Sequence, residues 1–470
     1  MKDDQEVLKR IPGVDKLLAT QGIKELNRTH NYNLVKFSIR EVLQTIRHEA
    51  RKSSGIPDED QVVEMVEIFL KTLSGRSFKR VINATGVIVN TNLGRAPYGD
   101  EIIREASETL KGYNNLEFDL DKGTRGSRNT HLTTKLKYLT GAEDVLVVNN
   151  NAAAIILILR SLAKNREVIV SRGELIEIGG SFRIPEIMAA SDCRMVEVGA
   201  TNKTHLRDYE KAISKETGLL FKAHQSNFVI RGFTTNVAIP DLVALGKKHK
   251  IPVIYDMGSG LLRKTSVDVL LKEPDVRQTL ALGADLVCFS GDKLIGGPQA
   301  GIIAGKSKII SRLKREPLMR ALRVGKTTLA FMEAALTHYL DDQKLLKNNL
   351  FFKLVSQSPE EINNKAKKLS SVLSQSGIPS VVVESEGYCG GGALPDESIR
   401  SFSVKLTCFQ KTRKEKVAHA EKIYYRLMKY PTPVIGILKK GELYFDLLTV
   451  THEELDTVAD CIRQSHQMTA

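Results

Sequence analysis

The 470-residue chain predicts an α/β fold with a mainly parallel, doubly wound sheet, flanked by a small N-terminal helical domain and a C-terminal α+β domain. Three observations predict it. Short, continuously apolar runs such as "DVLVV" (144–148), "EVIVS" (167–171), "IPVIYD" (251–256) and "ADLVCFS" (284–290) read as strands buried on both faces. Helical stretches separate them, beginning with the Ala-rich "NAAAIILILRSLA", and strands alternating with helices argue for parallel order. A content of 42% hydrophobic and 26% charged residues fits a folded globular chain, and one of this length supports more than one domain.

Residues 1–70 alternate charged and apolar positions at helical spacing, first in "VKFSIREVLQTIRHEARK" (35–52). The pattern restarts in "QVVEMVEIFLKTL" (61–73) after Pro57 and the acidic "DED". Their mixed charge fits a packing or oligomerisation module. A linker over 71–95 leads into the core domain, 96–335. The texture then changes: "NNKAKKLSSVLSQSG" reads as helix, while "PSVVVES", "RSFSVKLTC" and "ELYFDLLTV" read as strands. Residues 336–470 therefore form the α+β domain.

No apolar run reaches the length of a membrane span, and "MKDDQEVLKR" lacks the apolar core of a signal peptide. The five cysteines (Cys193, Cys288, Cys389, Cys408, Cys461) are odd in number and form no CxxC pair. They read as reduced thiols of a cytoplasmic protein, with no metal site. The net charge of +14 concentrates in "GKKHK" (246–250), "KSKIISRLKRE" (306–316) and "KTRKEK" (411–416). That suits a phosphate-rich partner, although solvated helix faces give the same pattern.

Ligands of doubly wound sheets collect outside the carboxyl ends of the strands. At one such end, Asn149, Asn150 and Asn151 precede a helix, where free N–H groups seat phosphate; simple helix capping is the competing reading. At a second, Asp256 ends "PVIYD", placed to hold a pyridine nitrogen protonated or to cap the following turn. At a third, "FSGDKLIGGPQAG" presents Lys293, 37 residues after Asp256 and one βα unit away. An acid and a lysine so spaced suit a pyridoxal phosphate enzyme of the aspartate-aminotransferase fold, with Lys293 carrying the aldehyde as a Schiff base. Ser290 adds a phosphate hydrogen bond, and Gly296 and Gly297 let the backbone pass close to the cofactor. Arg95, Arg125, Arg128, Arg320, Arg323 and Lys326 supply oxyanion contacts or inter-domain ion pairs, with Arg320 and Arg323 on one helix face.

Together, "INATGVIVNTNLGRAP", "NNLEFDLDKGTRGSRNTH", "GAEDVLVVNNNAAA", "GATNKTHLRDYE", "FSGDKLIGGPQAGIIAGK" and "RALRVGKTTLA" resemble the bacterial selenocysteine synthases, over nearly the whole chain. The resemblance implies a pyridoxal 5'-phosphate-dependent transferase of fold type I, assembled as a ring of dimers (a decamer). It implies a substrate, seryl-tRNA(Sec), held by the N-terminal helices and recognised by shape and backbone contacts. Water leaves to give an aminoacrylyl-tRNA, and selenium from selenophosphate adds. Lys293 and Asp292 would be catalytic. Asp256, Asn149, Asn150, Asn151 and Ser290 would hold the cofactor, and Arg95, Arg128, Arg320 and Arg323 the selenophosphate. Gly325, Asn90 and "AHQSNF" depart from the residues usual in that family. Two other readings compete: a β-eliminating lyase acting on a small amino sugar acid, and a tRNA-binding protein whose catalytic fold is silent. Cys389 in "GYCGGGALP" reads as structural.

Overall fold

The computed structural model describes residues 11–50, 56–178, 182–407 and 412–467; the segment "MKDDQEVLKR", Cys408 and Lys411 lie outside them. The chain divides into two compact units, Met1–Arg80 and Val81–Ala470.

The first unit holds helices α1 (Val14–Leu18), α2 (Gln21–Thr29), α3 (Tyr32–Ala50) and α4 (Glu59–Ser74). On α3, Val35, Ile39, Val42, Leu43 and Ile46 recur every three or four residues and bury one stripe. They meet Val62, Val66 and Leu70 of α4. A reciprocal cap starts α4: Asp58 Oδ1 accepts from Gln61 N at 2.8 Å, and Asp58 N donates to Gln61 Oε1 at 3.0 Å.

The second unit contains β1 (Val87–Val89), β2 (Asp144–Val148), β3 (Glu167–Ser171), β4 (Arg194–Val198), β5 (Thr217–Ala223), β6 (Val253–Gly258), β7 (Leu286–Ser290) and β8 (Gly301–Gly305). Strands β2 to β8 form one sheet in the order β2-β8-β7-β6-β5-β3-β4. All neighbours run parallel except at β8, which is antiparallel to both β7 and β2. The turn from Ser290 to Gly301 is too short to carry a crossover helix, so the chain must return antiparallel. Val145 and Val147 enter one core while Leu146 and Val148 enter another, so β2 is buried on both faces. Helix α5 (Asn151–Ala163) is buried almost all round, which explains its Ala, Ile and Leu content.

The remainder contains helices α6 (Lys326–His338), α7 (Pro359–Gln375), α8 (Arg413–Leu427) and α9 (Leu455–Gln467). It also contains β9 (Ser380–Gly390), β10 (Ala393–Leu406), β11 (Ile437–Lys439) and β12 (Glu442–Asp446). These strands form a second sheet, β11-β12-β10-β9-β1. Its last member comes from the stretch expected as linker: β1 pairs in parallel with β9, and Ile82–Asn83 pairs with Val434–Ile435. Backbone donors there are thus satisfied by the C-terminal sheet.

Candidate active site

The turn after β7 carries the expected lysine inward: Lys293 is 7% exposed, Asp292 6%, Ser290 7% and Asp256 3%. The turn is fastened from three sides. Leu294 N donates to Ser259 O at 3.1 Å, Tyr339 Oη to Leu294 O at 3.1 Å, and Asn349 Nδ2 to Ile295 O at 3.0 Å. Gly296 sits at φ +69°, and a Cβ there would lie 2.3 Å from Asn349 Oδ1. That glycine serves the fit against Asn349, and Gly297 lies against Met332 and Gly291 O.

Asp256 ends the apolar run of β6, in register with Ala223 and Cys288 on its neighbours. Its Oδ1 accepts from Asn151 Nδ2 at 2.8 Å and from Gly258 N at 3.0 Å. Burial raises its pKa, while the Asn151 hydrogen bond and the charge of Lys293 oppose that rise. Burial lowers the pKa of Lys293, with the Asp256 and Asp292 carboxylates opposing. Each charge therefore helps hold the other. No described residue hydrogen-bonds the Lys293 amine. A Cβ built on Gly258 would lie 3.3 Å from Ser226 Oγ and 3.9 Å from Lys293 Nζ, so hydroxyl and amine surround one point. Ser226 Oγ and Asn151 Oδ1 are both buried without a partner, although buried polar atoms are normally paired.

The three asparagines do different things. Asn150 Oδ1 caps α5 by accepting from Ala153 N at 2.8 Å. Asn151 holds Asp256. Asn149 is exposed, and its backbone N donates to Leu322 O at 3.0 Å. Strand β8 passes so close to this corner that a Cβ on Gly301 would lie 2.0 Å from Asn150 O.

The arginines separate. Arg95, in a left-handed turn at φ +67°, pairs with Asp292 beside Lys293. Arg128 and Arg323 both pair with Glu117, and Arg125 joins them. Arg320 is exposed at the end of the 3-10 turn Pro317–Arg320. Arg323 lies beyond that turn in a bridge to Val148, so the shared helix face expected of Arg320 and Arg323 does not form. Pairing with the end of β2 pulls the segment into extended conformation. Lys326 opens α6.

Sequence reasoning missed Ser226, Glu117, Glu273 and Asn349. Ser226 lies three residues beyond β5, and the strand-end rule applied to "AHQSNF" would have found it. Glu273 is buried, accepts from Ser259 Oγ, and lies 3.4 Å from His224 Nε2. Cys389 is buried, and burial pushes its thiol up to about 12, as suits an inert cysteine.

Strand order and site define the class: an α/β protein of aspartate-aminotransferase-like fold, with a buried lysine and acid at adjoining strand ends. A solved structure of D-glucosaminate-6-phosphate ammonia-lyase shares the fold at TM-score 0.58 and 19% identity, over 83% of this chain and 96% of its own. Within that class, the chain belongs to the L-seryl-tRNA selenium transferase family, whose model matches residues 81–451; the selenocysteine synthase N-terminal model matches 8–47. The L-seryl-tRNA(Sec) selenium transferase of Geotalea daltonii is 42% identical over 464 residues, 97% of this chain and 99% of the relative. That of Aquifex aeolicus is 41% identical over 462 residues, 98% and 99% respectively.

Proposed function

We propose that the chain converts L-seryl-tRNA(Sec) to L-selenocysteinyl-tRNA(Sec), using pyridoxal 5'-phosphate as cofactor and selenophosphate as selenium donor. The observation that carries the chemistry is the buried Lys293, whose amine no described residue hydrogen-bonds, close to the buried carboxylate of Asp256. Ser226 Oγ and Asn151 Oδ1, buried without partners near these two groups, fit a polar cofactor. Lys293 would bond its aldehyde, Asp256, held by Asn151, would pair its ring nitrogen, and Ser290 with Asn149 and Asn150 at the start of α5 would seat its phosphate. When bound, the cofactor supplies an electron sink for the carbanion at the seryl Cα.

Lys293 takes the Cα proton, because burial brings its amine toward the neutral form that accepts one. The proton that Lys293 has taken goes on to the departing hydroxyl, which leaves as water, with Asp292, held by Arg95, keeping its negative charge near that amine. Arg95, Arg128, Arg320 and Arg323 would bind selenophosphate, whose selenium bonds the β-carbon while its bond to phosphorus breaks and water takes the phosphoryl group off as phosphate. The helical unit holds the tRNA, and copies of the chain assemble with one another in the cytoplasm. Among the described residues no helix is long and apolar enough to cross a membrane.

The test uses purified protein, charged tRNA(Sec) and labelled selenophosphate, with ordinary seryl-tRNA as control. Label is expected on tRNA(Sec); absence of label from both RNAs refutes the reading.

A further inference from the structure

Glu117 Oε1 accepts from Arg128 Nε at 2.9 Å, from Arg128 Nη2 at 2.5 Å and from Arg323 Nη1 at 3.2 Å. Its Oε2 accepts from Arg125 Nη2 at 3.0 Å. Three guanidinium groups on one carboxylate leave positive charge in excess. These residues line a cavity of about 300 Å³ together with Asn129. Two atoms of the lining residues are buried without partners: the donor Arg323 Nε and the acceptor Asn129 Oδ1. Arg323 thus gives Glu117 its Nη1 and leaves Nε without a partner, one of the two N–H groups on the Nε–Nη2 edge that can match an oxyanion in parallel. Arg128 is anchored separately, with Nη1 donating to Val324 O at 2.7 Å.

We infer that Glu117 is an internal stand-in for a tetrahedral oxyanion. It holds the forks of Arg128 and Arg323 in place and yields them to a ligand carrying more charge than itself. The arginines keep its carboxyl below the usual carboxylate range, so it remains an anion at neutral pH. Its side chain is 25% exposed, which leaves it a path to turn toward water when displaced. A monoanion brings no more charge than Glu117 does, whereas a dianionic phosphate-type group does. Glu117 thereby becomes a specificity-determining residue. The inference rests on the proposed function only in taking selenophosphate as one source of such a group; a phosphate monoester has the same chemistry, whereas an RNA backbone phosphodiester is a monoanion.

Calorimetry on the full-length chain tests this with inorganic phosphate in one arm and a short single-stranded oligoribonucleotide in the other. Glu117→Gln keeps the shape and removes the charge. It should tighten phosphate binding by roughly fivefold or more, and raise acetate affinity by a larger factor than phosphate affinity. Tightening in the phosphate arm assigns a dianionic oxyanion; tightening in the RNA arm alone, where each backbone phosphate is a monoanion, overturns the inference. Binding that is unchanged or weaker in both arms overturns the inference. Should the glutamine variant not fold, Glu117→Asp, whose shorter reach releases the arginines, must show the same direction. Neither arm measures selenium transfer, so this inference and the proposed reaction fail independently.

Discussion

Replacing Asp256 by asparagine separates charge from shape at the centre of the site. In the native chain its Oδ1 receives two N–H groups, from Asn151 and Gly258, while Asn151 Oδ1 has no donor. An asparagine keeps the acceptor and turns its own NH2 toward that spare oxygen. Stability should therefore change by only about 1 kcal/mol. Asp256→Ala strands both donors, at about 1–3 kcal/mol each, and should cost roughly 2–6 kcal/mol. Catalysis should respond the other way round. A close opposite charge shifts a pKa by about 1–3 units, so without the carboxylate the protonated ring nitrogen becomes about 10–1000 times scarcer. Turnover of Asp256→Asn should fall about 100-fold with cofactor still bound. Transfer of labelled selenium onto seryl-tRNA(Sec) gives turnover, absorbance gives cofactor content, and circular dichroism melts give stability. Asparagine turnover within about threefold of wild type, or a stability loss matching alanine, would refute the reasoning.

Lys293→Ala removes the amine proposed to bond the cofactor, so borohydride should fix no cofactor to the chain; mass spectrometry of the reduced protein decides. Because burial lowers the Lys293 pKa, turnover should climb with pH through a limb below the free-lysine value, and a limb at or above that value contradicts the assignment of the base. Lys365 is buried, with its ammonium donating to Gln357 Oε1, Leu447 O and Val450 O, and burial lowers its pKa from 10.5 to about 8. Between those values the unfolded chain holds the proton and the folded one does not. Stability should thus rise with pH across that window by up to about 3 kcal/mol, and fall again as pH drops through 8. Melts of wild type against Lys365→Met across pH 7 to 11 show it as a widening gap. A chain starting at Val81, where the larger compact unit begins, should keep borohydride-fixed cofactor and lose tRNA(Sec) in filter binding; undiminished tRNA binding would dismiss the role given to the helices.

The strands, Asp256 and Lys293 were legible because their signals are local. A run of apolar residues specifies a strand buried on both faces, and a polar residue at its carboxyl end has only one open direction. The helical face of α3 was legible for the same reason, from spacing alone. What tertiary structure decided is convergence. Glu117, Arg128 and Arg323 meet although Glu117 and Arg323 lie 206 positions apart, and nothing near either residue encodes the other. Gly296 read locally as a cofactor glycine, and only the fold shows that Asn349, more than fifty residues later, needs its missing Cβ. Arg320 and Arg323 matched a helical face, yet pairing with Val148 drew the second into extended backbone, where a sheet edge satisfies its groups better than another helical turn would. Local pattern determines which residues can end a strand or line a helix; long-range packing determines which of them share a site.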